Sequence, residues 1–108
     1  MNGSEIVWLL VMFDLPTVTD AERKAHTKFR NYLLRLGLTR LQWSVYARAY
    51  PRDRAAESDR NAVIQAVPLG GRVRCLAVTD LQFEHMICVD GARRCTPENR
   101  LEQIVLLE

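Results

Sequence analysis

A chain of 108 residues, 48% hydrophobic and 26% charged, has the make-up of one globular domain, which excludes a disordered or fibrous protein. Its longest apolar run is too short to span a bilayer and lacks the flanks of a signal peptide, so a cytoplasmic protein that engages no membrane is expected. The formal net charge of +2 is too small to announce nucleic acid, yet Arg23, Lys24, Lys28, Arg30, Arg35, Arg40, Arg48, Arg52 and Arg54 crowd one stretch in which Asp53 is the only acid.

Residues 6–13 are almost wholly apolar and read as a strand buried on both faces. Pro16 bars further sheet pairing, so Asp14 falls at the C-terminal tip of that strand. A carboxylate there either is solvated and helps turn the chain, or is aimed at something positive such as a divalent metal. Thr19-Asp20-Ala21-Glu22 has the form of a capping box and starts a helix, which Gly37 ends. Ala25, Phe29, Leu33 and Leu36 form its packing side, while Lys24, Lys28, Asn31 and Arg35 fall on a cationic stripe. His26 is assigned to the polar side, without a general-base role.

Residues 38–50 are long for one strand and read as two short antiparallel strands joined by a sharp bend at Gln42-Trp43-Ser44. Pro51-Arg52-Asp53 supplies a turn and an N-cap for a second helix packed through Ala55, Ala56, Ala62, Val63 and Ala66. Residues 72–79 form a strand with Val73, Cys75 and Ala77 on one face and Leu76 and Val78 on the other. A helical turn at 80–85, an extended piece at 86–89 and a loop at 90–102 follow. Residues 103–107, apolar but for Gln103, are expected to form a last strand that pairs with the sheet of a second protomer. Cys75, Cys88 and Cys95 are odd in number and lack C-x-x-C spacing, so free thiols are expected.

The order strand-helix-strand-strand-helix-strand is the α+β, ferredoxin-like βαββαβ arrangement, with an additional C-terminal strand, in a single domain 1–108. Val11-Met12-Phe13-Asp14-Leu15-Pro16-Thr17, the helix with Arg23-Lys24-Ala25 and Lys28-Phe29-Arg30, and Leu41-Gln42-Trp43-Ser44-Val45-Tyr46-Ala47-Arg48 together resemble the small CRISPR-associated adaptation endonucleases, the Cas2 family. The segment with Thr79-Asp80-Leu81-Gln82-Phe83 and Met86 looks like the version that accompanies type II systems. The resemblance implies a swapped homodimer in which each subunit lends its C-terminal strand to the other. It implies that Asp14 of both subunits faces a shared cleft and holds Mg2+ or another divalent cation. It also implies two roles: metal-dependent cleavage of RNA or DNA, and a complex with the CRISPR integrase during spacer acquisition.

On this reading Asp14 is the catalytic and metal-binding candidate, and Ser44 a weaker one that can hydrogen-bond a phosphate or simply satisfy the backbone of its turn. Lys24, Lys28 and Arg35 are the phosphate-binding candidates, because cations on one stripe can follow a nucleic-acid backbone without reading sequence. Arg30 and Arg48 join them on charge alone. Trp43 can stack on a base or pack in a core or interface, and is left outside the catalytic set. The competing functions are a non-catalytic DNA-binding scaffold bridging integrase dimers, and a ferredoxin-like RNA-binding or toxin-like domain.

Overall fold

The computed structural model describes residues 5–91 and the backbone of residues 93–95. Its elements are β1 (Val7–Asp14), α1 (Asp20–Arg35), β2 (Thr39–Gln42), β3 (Val45–Tyr50), α2 (Asp53–Gln65), β4 (Arg72–Thr79), α3 (Asp80–Glu84), β5 (Cys88–Asp90) and β6 (Arg93–Cys95). The first four strands in sequence form one sheet in the order β2-β3-β1-β4, antiparallel throughout, which is the ferredoxin-like topology. Among the described residues no helix is long and apolar enough to cross a membrane.

Side chains of β1 alternate between two cores. Leu9, Val11 and Phe13 point to the helix side, where they pack with Phe29 and Leu33 of α1 and Ala56 and Val63 of α2. Trp8 points to the opposite side and packs with Ala47, Ala49 and Phe83. That is why the run reads apolar at nearly every position: each face of the strand is buried by a different layer. The second layer is short. Helix α3 folds back over one half of that face, where the Phe83 ring stacks on Trp8 at 3.9 Å and Trp8 Nε1 donates to Asp80 Oδ1 at 2.8 Å. The half toward the C-terminal end of β1 is open, and Leu76 of β4 is 51% exposed there.

Three local expectations change. Helix α2 is capped by the extended Arg52, with no side-chain cap bond, and Asp53 sits in the first turn, where its charge meets the positive end of the helix dipole. The stretch expected as a loop from residue 90 contains β6, which pairs with β5. Gly91, with φ of 65°, makes the tight reversal between them, a turn that Asp90-Gly91 favours because glycine enters the left-handed region without penalty. Cys75 is a free, half-buried thiol, pushed up in pKa by burial, but Cys88 lies opposite Cys95 in the ladder and is disulfide-bonded. The expected strand at residues 103–107 lies outside the described residues.

Candidate functional site

Alternation along β1 settles where Asp14 faces. Because Phe13 enters the helix-side core, Asp14 emerges on the opposite, open face with Met12, and it is exposed. Its register partner is Arg72 of β4, and Arg74 stands opposite Met12, so two exposed arginines share the open face with this carboxylate. Among the described residues the Asp14 carboxylate makes no ion pair or side-chain hydrogen bond. Arg72 and Arg74 escaped the sequence reading. Their signal was present: they share the strand face already assigned to Leu76 and Val78.

Ser44 adjoins the same tip. It occupies the left-handed region, φ 65°, in the turn between β2 and β3, and its carbonyl accepts a hydrogen bond from Phe13 N at 3.1 Å. A non-glycine residue in that conformation is held there at a cost of about 1–2 kcal/mol, which the bond to β1 helps to offset. The bend expected at Gln42-Trp43-Ser44 is thus a device that pins one turn against the strand end carrying Asp14.

Helix α1 starts at the expected capping box. The Thr19 hydroxyl accepts from Glu22 N at 3.1 Å, and Glu22 Oε1 accepts from Thr19 N at 2.8 Å and Val18 N at 3.1 Å. This fixes the rotation of the helix and so the place of its cations. Lys24, Lys28 and Arg35 line one shallow groove together with Thr27 and Asn31. At 1.5 Å rise per residue, Lys24 and Arg35 stand about 16 Å apart along the axis, room for several phosphates of a nucleic-acid backbone. Arg23, at the same groove, is held by Asp20 and by the carbonyls of Thr17 and Val18.

The two weaker basic candidates part company. Arg30 lines a small cleft beside the tip of β1 with His26, Arg40, Trp43 and Ser44. Arg48 turns inward: Nη1 donates to Leu36 O at 2.6 Å and to Asp59 Oδ2 at 3.2 Å, and the guanidinium lies 4.6 Å from the Tyr50 ring centroid. These contacts tie its Nη1 to the fold. His26 is half-buried, edge-on to Phe13 at 5.9 Å, rather than on the polar side of α1. Its spacing of three and seven residues from Phe29 and Leu33 carried that information.

For a divalent cation, Asp14 offers one carboxylate that is open to solvent and, among the described residues, in no ion pair, with Arg72 and Arg74 as the cations that share its face. Among the described residues no group of three His, Cys, Asp or Glu side chains surrounds it. This fits magnesium in kind, which keeps several waters and takes one or two protein carboxylates. Among the described residues the chain supplies this site with a single carboxylate. The cationic groove lies on the solvent side of α1, across the sheet from Asp14.

Comparison with known proteins covers the same ground. A family model described as "CRISPR associated protein Cas2" matches residues 7–86. The chain is 40% identical over 106 residues to a protein of Paracidovorax avenae named "CRISPR-associated endoribonuclease Cas2", covering 98% of each. Proteins of the same name from Parvibaculum lavamentivorans, 41% identical over 82% of this chain and 87% of the relative, and from Streptococcus mutans, 35% identical over 92% of each, are similar along most of their length.

Proposed function

This chain belongs to the CRISPR associated protein Cas2 family, and from that premise we propose that it is a magnesium-dependent endonuclease that cuts RNA or DNA and works as a homodimer with the CRISPR integrase in spacer acquisition. The observation that carries the catalytic reading is the free, exposed carboxylate of Asp14 at the end of the central strand. The name endoribonuclease, borne by the relatives, favours RNA as substrate. Asp14 and its two-fold copy would hold the cation, which when bound supplies positive charge to a phosphoryl oxygen. Arg72 and Arg74 offset the charge of a phosphate brought beside Asp14, and Ser44, in the turn bonded to the same strand end, is the weaker candidate to contact it. Lys24, Lys28 and Arg35 hold the backbone of the same nucleic acid or of another.

One observation favours the scaffold role in its own right. The cationic groove and Asp14 lie on opposite sides of the sheet, so nucleic acid can bind α1 without approaching the carboxylate. The two roles are separable by mutation. Purified protein is expected to cut labelled RNA or DNA with Mg2+ and not in EDTA, and Asp14→Asn is expected to abolish cutting with the circular dichroism and solution mass unchanged. Cutting in EDTA, or full activity of Asp14→Asn, overturns the catalytic reading. In the scaffold role Asp14→Asn supports spacer acquisition, whereas joint replacement of Lys24, Lys28 and Arg35 by Gln does not; acquisition that tracks nuclease activity across these variants overturns it.

A further inference from the structure

The two tryptophans of this chain occupy opposite extremes. Trp8 is fully buried under Phe83, whereas Trp43, at the β2–β3 turn, is 75% exposed. An exposed indole is the largest apolar surface a side chain can leave in water, and here it is held in place. The Arg40 guanidinium lies 5.6 Å from its ring centroid, and the turn beneath it is pinned to β1 through Ser44. The cleft at its foot is walled by His26 and Arg30 of α1 and holds no acidic residue. An aromatic platform with cations on its flank and no carboxylate lining its cleft suits a partner that is flat, aromatic and anionic at once, which is the description of a nucleotide. The platform stands on the α1 side of the sheet, away from the open face around Leu76, so the surface suited to a second copy of the chain is a different one.

Resting on the reading that this chain binds nucleic acid, we propose that Trp43 and Arg40 form a stacking site for one unpaired nucleotide, its base on the indole and its phosphate toward Arg40 and Arg30. Stacking needs a base whose face is free, which single strands and frayed ends present and the interior of a duplex does not. The site therefore gives the protein a preference for single-stranded substrate or for duplex with unpaired ends, without base-edge recognition and so without strong sequence preference.

Because Trp8 is buried, quenching of intrinsic fluorescence reports Trp43. A single-stranded oligothymidine of eight nucleotides is expected to quench the emission on binding and to protect it from acrylamide, and a blunt hairpin duplex is not. Trp43→Ala is expected to weaken single-strand binding roughly 5- to 150-fold, by the usual worth of one base–aromatic stack, while leaving hairpin binding and the melting temperature unchanged. Trp43→Phe is expected to restore most of the affinity. Equal single-strand affinity of wild type and Trp43→Ala, equal quenching by the blunt hairpin, or an indole already shielded from acrylamide in the free protein overturns the proposal. If both oligonucleotides bind without dependence on Trp43, this inference alone falls; if neither binds, the nucleic-acid reading falls with it.

Discussion

Asp59 accepts from two donors at once, the Tyr50 hydroxyl at 2.7 Å and Arg48 Nη1 at 3.2 Å, and so ties α2 to β3 beneath the helix layer. Tyr50 is buried, so its hydroxyl does not find water easily once its acceptor is lost, and half-buried Arg48 loses its ion pair. Asp59→Ala is expected to destabilise the protein by about 2–3 kcal/mol in urea denaturation, and Tyr50→Phe by about 1 kcal/mol, since the phenyl ring keeps the packing and gives up one hydrogen bond. Burial, and then the bond to Asp59, raise the Tyr50 pKa above its ordinary value of 10.0. The folded state therefore favours the protonated phenol: this contribution is complete below pH 10 and is lost as pH rises beyond it. Denaturation at pH 9 and pH 11 should show a loss in wild type that Tyr50→Phe reduces. Arg48 shows where residue-level reading stops. Alternation along β3 puts it on the helix side with Tyr46 and Tyr50, but nothing in the pattern names Asp59, eleven residues on and in another element, as its partner. Asp14 was legible for the opposite reason: an apolar strand that ends on an acid and a proline marks its own tip.

Helix α1 is fixed at both ends by local chemistry. The reciprocal bonds of Thr19 and Glu22 satisfy backbone donors that the first turn leaves free, and Gly37 takes the left-handed conformation, φ 94°, just past the last turn, with the Arg48 side chain packed against it. Thr19→Ala is expected to cost about 1 kcal/mol. The Glu22 pKa is lowered from 4.5, first by the backbone N–H of Thr19, so the cap's charged contribution is present above that value and is lost as pH falls below it. Glu22→Gln keeps an acceptor and should flatten the fall in stability between pH 6 and pH 3, measured by thermal melts of both proteins. Signals of this kind made the elements readable. The capping box, the glycine stop, the bend at Trp43-Ser44 and the short α3 each lie within a few residues of sequence. The cap of α2 falls within the expected Pro51-Arg52-Asp53, but on Arg52 and without a side-chain bond, because Asp53, the strong capping residue of the three, stands one position too late. The β5–β6 hairpin was missed because polar composition outweighed the Asp90-Gly91 turn signal.

A four-stranded sheet has two edges, and here they differ. Strand β2 is four residues long, and its register breaks between Arg40 and Gln42, which makes it a poor template for another strand. Strand β4 is eight residues long, keeps unbroken register with β1, and flanks the half of the sheet that α3 leaves open around Met12 and Leu76. A domain this small gains much from burying such a face. The expected partner is a second copy of the chain, its apolar residues 103–107 added along β4. The mostly apolar make-up of residues 103–107 is readable from sequence, whereas the bulge in β2 and the unequal lengths of the two edge strands are seen only in the sheet. Purified protein is expected to have the mass of a dimer by light scattering, and deletion of residues 103–108 or Leu76→Glu is expected to yield monomer with the circular dichroism retained. An unchanged dimer mass in both variants overturns this arrangement. The same experiment bears on catalysis, since among the described residues one copy of the chain offers the proposed cation a single carboxylate: a folded monomer should lose Mg2+-dependent cleavage while keeping the α1 groove, so that nuclease activity is lost together with the dimer and nucleic-acid binding falls far less.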